Sequence, residues 1–300
     1  MLLLLTALIW GTAFVAQRVG MDYMDPFTFS TVRFIMGGLV LIPVVLLLRK
    51  LTHAKKHPEA ARILRNTIIG GLLCGVIVCV ATNLQQFGVK YTTVGKTGFL
   101  TALYIIFVPI IGIFLKQRSG IKLWVSVGIA VCGLYLLCMK DSFFLSGGDT
   151  LVFICAIIFA FHILIIDHYV PKADGVMMSC IQFFVAGILS FFCMLLFEGM
   201  PSIDMLVDAR VPLLYTGVLS CGIAYTLQIV GQKNMNPPVA SLILSLESVI
   251  AVIAAWIILG QSMTQREMLG AALMFAAIIL AQLPERRRKT LAEKAEREAM

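Results

Sequence analysis

Apolar stretches of about twenty residues follow one another along almost the whole chain, separated by short polar breaks. That is the length of helix that crosses about 30 Å of hydrocarbon. Ten such spans are predicted, over residues 2–19, 27–48, 66–87, 94–115, 121–139, 149–169, 175–197, 210–231, 237–259 and 266–283. Pro26, Pro171, Pro201, Pro212, Pro237 and Pro238 stand at or near span ends, where a missing N–H costs least. Pro43 and Pro109 lie within spans and predict kinks there.

The pattern also repeats. Asp25, Ser30, Phe34 and Gly38 recur 149 residues later as Asp174, Ser179, Phe183 and Gly187. Leu84, Gln85, Gly88 and Lys90 recur 143 residues later as Leu227, Gln228, Gly231 and Lys233. Each copy holds five spans, and an odd number turns the second copy upside down in the bilayer. The predicted fold class is an all-α integral membrane protein whose ten transmembrane helices form two inverted five-helix repeats. Residues 1–140 and 141–283 are the repeats, and 284–300 are a charged cytoplasmic tail.

Composition agrees with burial in lipid. Of 300 residues, 60% are hydrophobic and 13% charged, with mean hydropathy +0.95. Soluble domains are about 45–50% apolar and about a quarter charged. The net charge of +8 sits in short loops between spans, which is a pattern of membrane orientation and excludes a nucleic-acid groove. Counting Lys and Arg by side gives 17 on the side of the N-terminus, tail included, and 6 on the other; Arg33 falls inside a span. This bias predicts a multi-pass protein of the plasma (cytoplasmic) membrane with both termini in the cytoplasm. All eight cysteines lie in spans without a Cys-x-x-Cys pair or a nearby His, so neither a metal nor a cofactor is expected. Leu2–Val19 lacks the basic start and small-residue cleavage site of a signal peptide.

Two matching blocks carry a recognisable pattern: FGVKYTTVGKTGFLTALYIIFVPIIGIFLKQR from Phe87, and VGQKNMNPPVASLILSLESVIAVIAAWIILGQ from Val230. ALIWGTAFVAQRVG and DPFTFSTVRFIMGGL stand near the N-terminus. Together they resemble the EamA-type family of the drug/metabolite transporter superfamily over nearly the whole chain. The resemblance implies a ten-helix bundle of two inverted repeats that moves a small metabolite by alternating access. It also implies a central cavity lined by spans 1, 3, 4, 6, 8 and 9. Spans 5 and 10 would lie at the periphery, where they can form a homodimer. The family includes amino-acid and metabolite exporters.

Polar groups inside spans are the candidate substrate-binding residues, because an ionisable group there costs at least about 2.5 kcal/mol by insertion scales. Glu247 is the deepest acid, and its repeat counterpart is Tyr104. It can carry a proton or cation, hold a substrate amine, hydrogen-bond to neighbouring helices, or form an internal ion pair with Arg33 or Lys96. Arg33 can hold a substrate carboxylate, snorkel or pair with an acid; its counterpart Gln182 is neutral. Lys96 begins span 4, where Thr97, Thr101 and Tyr104 form a polar stripe. Gln85 and Gln228 are a symmetric amide pair, with Thr82 and Tyr225 three residues before them. His162 is either a proton relay or a packing residue. Trp10 and Phe14 form a candidate aromatic wall. In span 9, Ser241, Ser245 and Ser248 make one stripe and Ala240, Leu244 and Glu247 the neighbouring one; the sequence leaves open which faces a cavity.

The expected function is a secondary transporter, exporting small metabolites such as amino acids, with a small-molecule substrate and the lipid bilayer as its partners. A membrane-embedded enzyme or a scaffold is the alternative. The chain shows no His-Glu-x-x-His, Gly-x-Ser-x-Gly or Walker motif.

Overall fold

The computed structural model describes residues 1–52, 59–116, 120–138, 146–259 and 264–283. The predicted tail 284–300 and the basic loop residues Lys55 and Lys56 lie outside them. The described residues are helical throughout, with no strand among them. The first half holds α1 (Leu2–Gly20), α2 (Pro26–Thr52), α3 (Ala60–Tyr91), α4 (Val94–Ala102), α5 (Tyr104–Phe114) and α6 (Ile121–Cys138). The second holds α7 (Gly147–Tyr169), α8 (Gly175–Phe197), α9 (Ile203–Asp208), α10 (Arg210–Leu214), a π-helical stretch (Tyr215–Tyr225), α11 (Thr226–Gln232), α12 (Pro237–Leu244), α13 (Leu246–Leu259) and α14 (Gln265–Gln282).

Among the described residues, eight helical segments are long and apolar enough to cross a membrane, and Ile121–Leu137 is a shorter apolar helix. Eight of the ten predicted spans coincide with these segments; the fifth and the tenth fall on α6 and α14, which are not among the eight. Two segments are interrupted near their middles. Val94–Phe114 breaks at Leu103 and Pro237–Ile258 at Ser245, each through a tight turn with similar dihedrals (φ −60°, ψ −9° and φ −61°, ψ −11°). In each turn a backbone N–H bonds three residues back, from Ile106 to Leu103 at 2.9 Å and from Ser248 to Ser245 at 3.1 Å. The predicted proline kinks lie elsewhere: Pro43 and Pro109 sit inside helices that continue through them.

Polarity is turned inside out. Ile68, Leu72, Val76 and Val80, four residues apart on α3, are exposed, whereas Cys74, Val78, Thr82 and Gln85 are buried. A surface of this kind suits lipid, and the polar groups must then be satisfied internally. Small residues let the helices approach. A Cβ at Gly38 of α2 would stand 3.0 Å from the Phe184 ring of α8, and one at Gly187 of α8 3.0 Å from Ile35 of α2. A Cβ at Gly88 would meet Val152 at 2.2 Å, and one at Gly231 would meet Leu3 at 3.0 Å. Such close small-residue contacts are how helices associate where lipid supplies no hydrophobic drive.

Helix starts are marked in the sequence. Ser146 with Asp149, and Thr264 with Glu267, form capping boxes. Asp174 caps α8 through the N–H groups of Val176 and Met177. The start of α2 is capped from a distance: Glu198 accepts from the Phe27 and Thr28 N–H groups at 2.9 and 2.7 Å, and from the Thr28 hydroxyl at 2.8 Å. At the same end Lys90 meets Asp25 at 2.7 Å.

The α6–α14 contact gives a stability test. A Cβ at Gly270 would lie 2.6 Å from the Gly133 carbonyl oxygen, whereas one at Gly128 meets nothing within 4 Å. Gly270→Val is expected to cost about 1–3 kcal/mol by overpacking. Gly128→Ala should stay within about 0.5 kcal/mol of the parent. Thermal unfolding in detergent measures both.

Candidate functional site

A cavity lies where the interrupted segments meet the rest of the bundle. Trp10, Phe14 and Gln17 of α1, Thr82 and Gln85 of α3, and Phe159 and Ile163 of α7 contribute to its wall. Thr101 and Tyr104 reach it from either side of the Leu103 break, and Leu244 and Glu247 from either side of the Ser245 break. Ser220, Cys221 and Tyr225 come from the π-helical stretch, Gln228 from α11, and Arg33 and Phe34 from α2. The resemblance implied a lining without span 2; Arg33 and Phe34 add it.

The Tyr104 hydroxyl donates to Oε1 of Glu247 at 2.9 Å, and both side chains are buried. The two interruptions bring them together, since Tyr104 opens α5 and Glu247 stands in the first turn of α13. Gln85 donates to the Thr101 hydroxyl at 3.1 Å. Trp10 and Tyr225 meet edge to face with ring centroids 4.6 Å apart, which fixes an aromatic wall. Arg33 is 2% exposed and stands near the Phe29 and Phe34 rings.

Trp10, Arg33, Gln85, Thr101, Tyr104, Tyr225, Gln228 and Glu247 thus share one cavity. Two residues singled out in the sequence stand elsewhere. Lys96 points to the start of α7, 3.6 Å from Asp149, which also accepts from Thr92 and caps its own helix. It ties two helix ends together. His162 lies behind the wall, 3.1 Å from the Gln182 side-chain oxygen and edge to face with the Tyr225 ring. Neither ion pair considered for Glu247 forms among the described residues.

The structure also separates faces that the sequence left open. Leu244 and Glu247 face the cavity. Ser241 and Ser245 return their hydroxyls to carbonyls of α12, and Ser248 donates to the Gly98 carbonyl oxygen at 2.8 Å. On α3, Thr82 and Gln85 face the cavity, while Asn83 bonds Ser190 and Gln86 bonds the Gln17 carbonyl oxygen. The π-helical stretch was missed. Its eleven residues shift the register so that Ser220, Cys221 and Tyr225 all reach the cavity, and π turns recur at functional sites. Gly217 and Gly222 within it were the available signal, and they do not distinguish a π turn from ordinary close packing.

A model of the EamA-like transporter family matches residues 1–139 and 146–283. The chain belongs to that family. It is 30% identical to an uncharacterized transporter of Archaeoglobus fulgidus over 94% of this chain and 84% of that one. It is 26% identical to the uncharacterized transporter YoaV of Bacillus subtilis over 94% and 96% of the two chains. It is 23% identical to the uncharacterized inner membrane transporter YedA of Escherichia coli over 92% and 88%. A crystal structure at 16% identity superposes with a TM-score of 0.75, over 96% of this chain and 98% of the other, which shows the shared fold. This family member is a multi-pass membrane protein and a membrane transporter.

The Tyr104–Glu247 bond is testable by a double-mutant cycle. Tyr104→Phe should cost about 1–3 kcal/mol by leaving a buried carboxyl oxygen without its donor. In a Glu247→Gln background the same change should cost less, a coupling of at least about 0.5 kcal/mol in thermal unfolding.

Proposed function

We propose that this transporter is a secondary carrier that exports small metabolites such as amino acids, by alternating access around the central cavity. The observation that carries the reading is the cavity itself. It lies among helices with apolar outer faces, yet it is lined by amides, hydroxyls, aromatic rings and two ionisable side chains, Arg33 and Glu247. Polar groups at that depth need a partner, and a polar cargo is one.

Two inverted repeats, residues 1–140 and 141–283, supply the alternation on this reading. Residues related by a two-fold axis can touch only near that axis. Tyr104 and Glu247, 143 apart, are hydrogen-bonded, and Phe34 and Phe183, 149 apart, stack with centroids 6.0 Å apart. The glycine contacts are reciprocal: Gly38 on Phe184 answers Gly187 on Ile35, and Gly88 on Val152 answers Gly231 on Leu3. An isologous contact has this form. The breaks at Leu103 and Ser245 fall within one residue of equivalent positions, as in carriers whose sites lie at broken helices.

The two ends are held by different ties. At one, Asp25 and Lys90 pair and Glu198 caps α2. At the other, the Asp174 N–H donates to the Thr67 hydroxyl at 2.8 Å and the Asn66 amide donates to the Lys172 carbonyl oxygen at 3.3 Å.

Counterflow in proteoliposomes, with a panel of labelled amino acids and other small metabolites, tests the reading. The expected result is uptake accelerated by unlabelled cargo on the far side. Glu247→Gln should slow it at least about tenfold, equivalent to ~1.4 kcal/mol. Absence of counterflow for every compound, with folded protein, would contradict transport.

A further inference from the structure

Trp10, Gln17, Thr82 and Gln228 each turn one unpartnered polar atom to the cavity, and Arg33 is the cationic group on that wall whose hydrogen bonding the protein leaves incomplete. It is 2% exposed, and its Nε and Nη2 have no hydrogen-bond partner within the chain. Among the described residues no carboxylate lies within ion-pair distance of it. The Phe29 and Phe34 rings stand 5.4 and 5.1 Å from the guanidinium carbon. Cation–π attraction offsets part of the desolvation, but ring faces do not satisfy a fork of five N–H donors. Other polar groups in the spans have a protein partner for at least one atom: the Asn83 amide donates to Ser190, Gln85 to Thr101 and Ser248 to the Gly98 carbonyl.

The rest of the wall limits what can complete it. Near Arg33 the lining is aromatic and thiol, with Phe34, Cys221 and Tyr225, and Trp10 closes on Tyr225. A single cation with apolar neighbours matches a single negative charge on an apolar body. A multiply charged phosphate would bring more charge than the described groups neutralise. The planar guanidinium fork fits a carboxylate with two parallel hydrogen bonds.

We propose that Arg33 is the binding site for the carboxylate of the cargo, and that the cargo class is small organic monocarboxylates with an apolar body lying against Trp10 and Tyr225. The inference rests on the transport reading only in calling the ligand a cargo. The site exists or fails by binding alone.

Trp10 provides the reporter. In a variant carrying Trp124→Phe and Trp256→Phe, Trp10 is the only remaining tryptophan of the three. Its fluorescence is titrated with three probes of one shape: 3-phenylpropionate, 3-phenylpropionamide and 3-phenylpropylamine. The acid is expected to bind at least about tenfold more tightly than the amide or the amine, the range of a charge-assisted hydrogen bond. Arg33→Gln should remove that preference while leaving the amide's affinity within about threefold. Arg33→Lys, which keeps the charge and loses the fork, should retain an intermediate preference. The acid-to-amide ratio in the Arg33-containing protein reads the proposal even where Arg33→Gln fails to fold.

Equal affinity for acid and amide, an acid affinity unchanged by Arg33→Gln, or no binding of the acid below about 10 mM would overturn it. Counterflow of a cargo by a preparation that does not tell acid from amide would overturn this inference and leave transport standing. Acid-selective binding with no flux of any compound would do the reverse.

Discussion

Hydrocarbon offers no hydrogen bonds, and the arrangement of this molecule follows from that constraint. Each polar atom in a span has to find its partner in the protein or in a space that holds something polar. The outward faces of α2 and α3 are therefore Leu, Ile and Val, and the amides, hydroxyls and charges are turned inward. Most of them are then consumed by helix contacts: Thr6 on the Ala224 carbonyl, Asn83 on Ser190, Ser248 on the Gly98 carbonyl. Around the cavity, Trp10, Gln17, Arg33, Thr82 and Gln228 keep polar atoms that the packing does not use.

The cavity depends on departures from regular helix. Tyr104 directly follows the turn at Leu103 and Glu247 stands two residues after the turn at Ser245, and there a phenol and a carboxyl meet at 2.9 Å. The π-helical Tyr215–Tyr225 does similar work on a third segment, and α2 packs on it closely enough that a Cβ at Gly37 would meet the Cys221 Cβ at 2.6 Å. Arg33 is carried on that same α2. Local irregularity, close packing of small residues and placement of the polar groups are one structural fact seen at three scales.

Much of this was legible in the chain because the bilayer imposes lengths and polarity rules. The positions of the apolar spans and the inward faces of Trp10, Gln85 and Tyr225 follow from period and polarity. Lys96 and His162 were legible as polar but not as to destination. A residue at the start of a span can turn into the cavity or toward the next helix end, and only the position of Asp149 decides it for Lys96. The helix breaks were hidden for a different reason. Proline is the usual sequence sign of a kink, yet Pro43 and Pro109 are accommodated, and the breaks fall at Leu and Ser, which carry no such mark. The π turn leaves no period of its own in a stretch already rich in small residues.

On the proposed reading, cargo reaches the cavity from one face of the membrane at a time. Single-cysteine accessibility tests it most directly. The eight native cysteines are replaced, and Gln228, on the cavity wall, becomes cysteine. A membrane-impermeant maleimide is then applied to right-side-out and inside-out vesicles. The account predicts labelling from one face without cargo, and a change in its rate when saturating cargo shifts the population toward the other face. Labelling from neither face, or equal labelling from both at once, would contradict it.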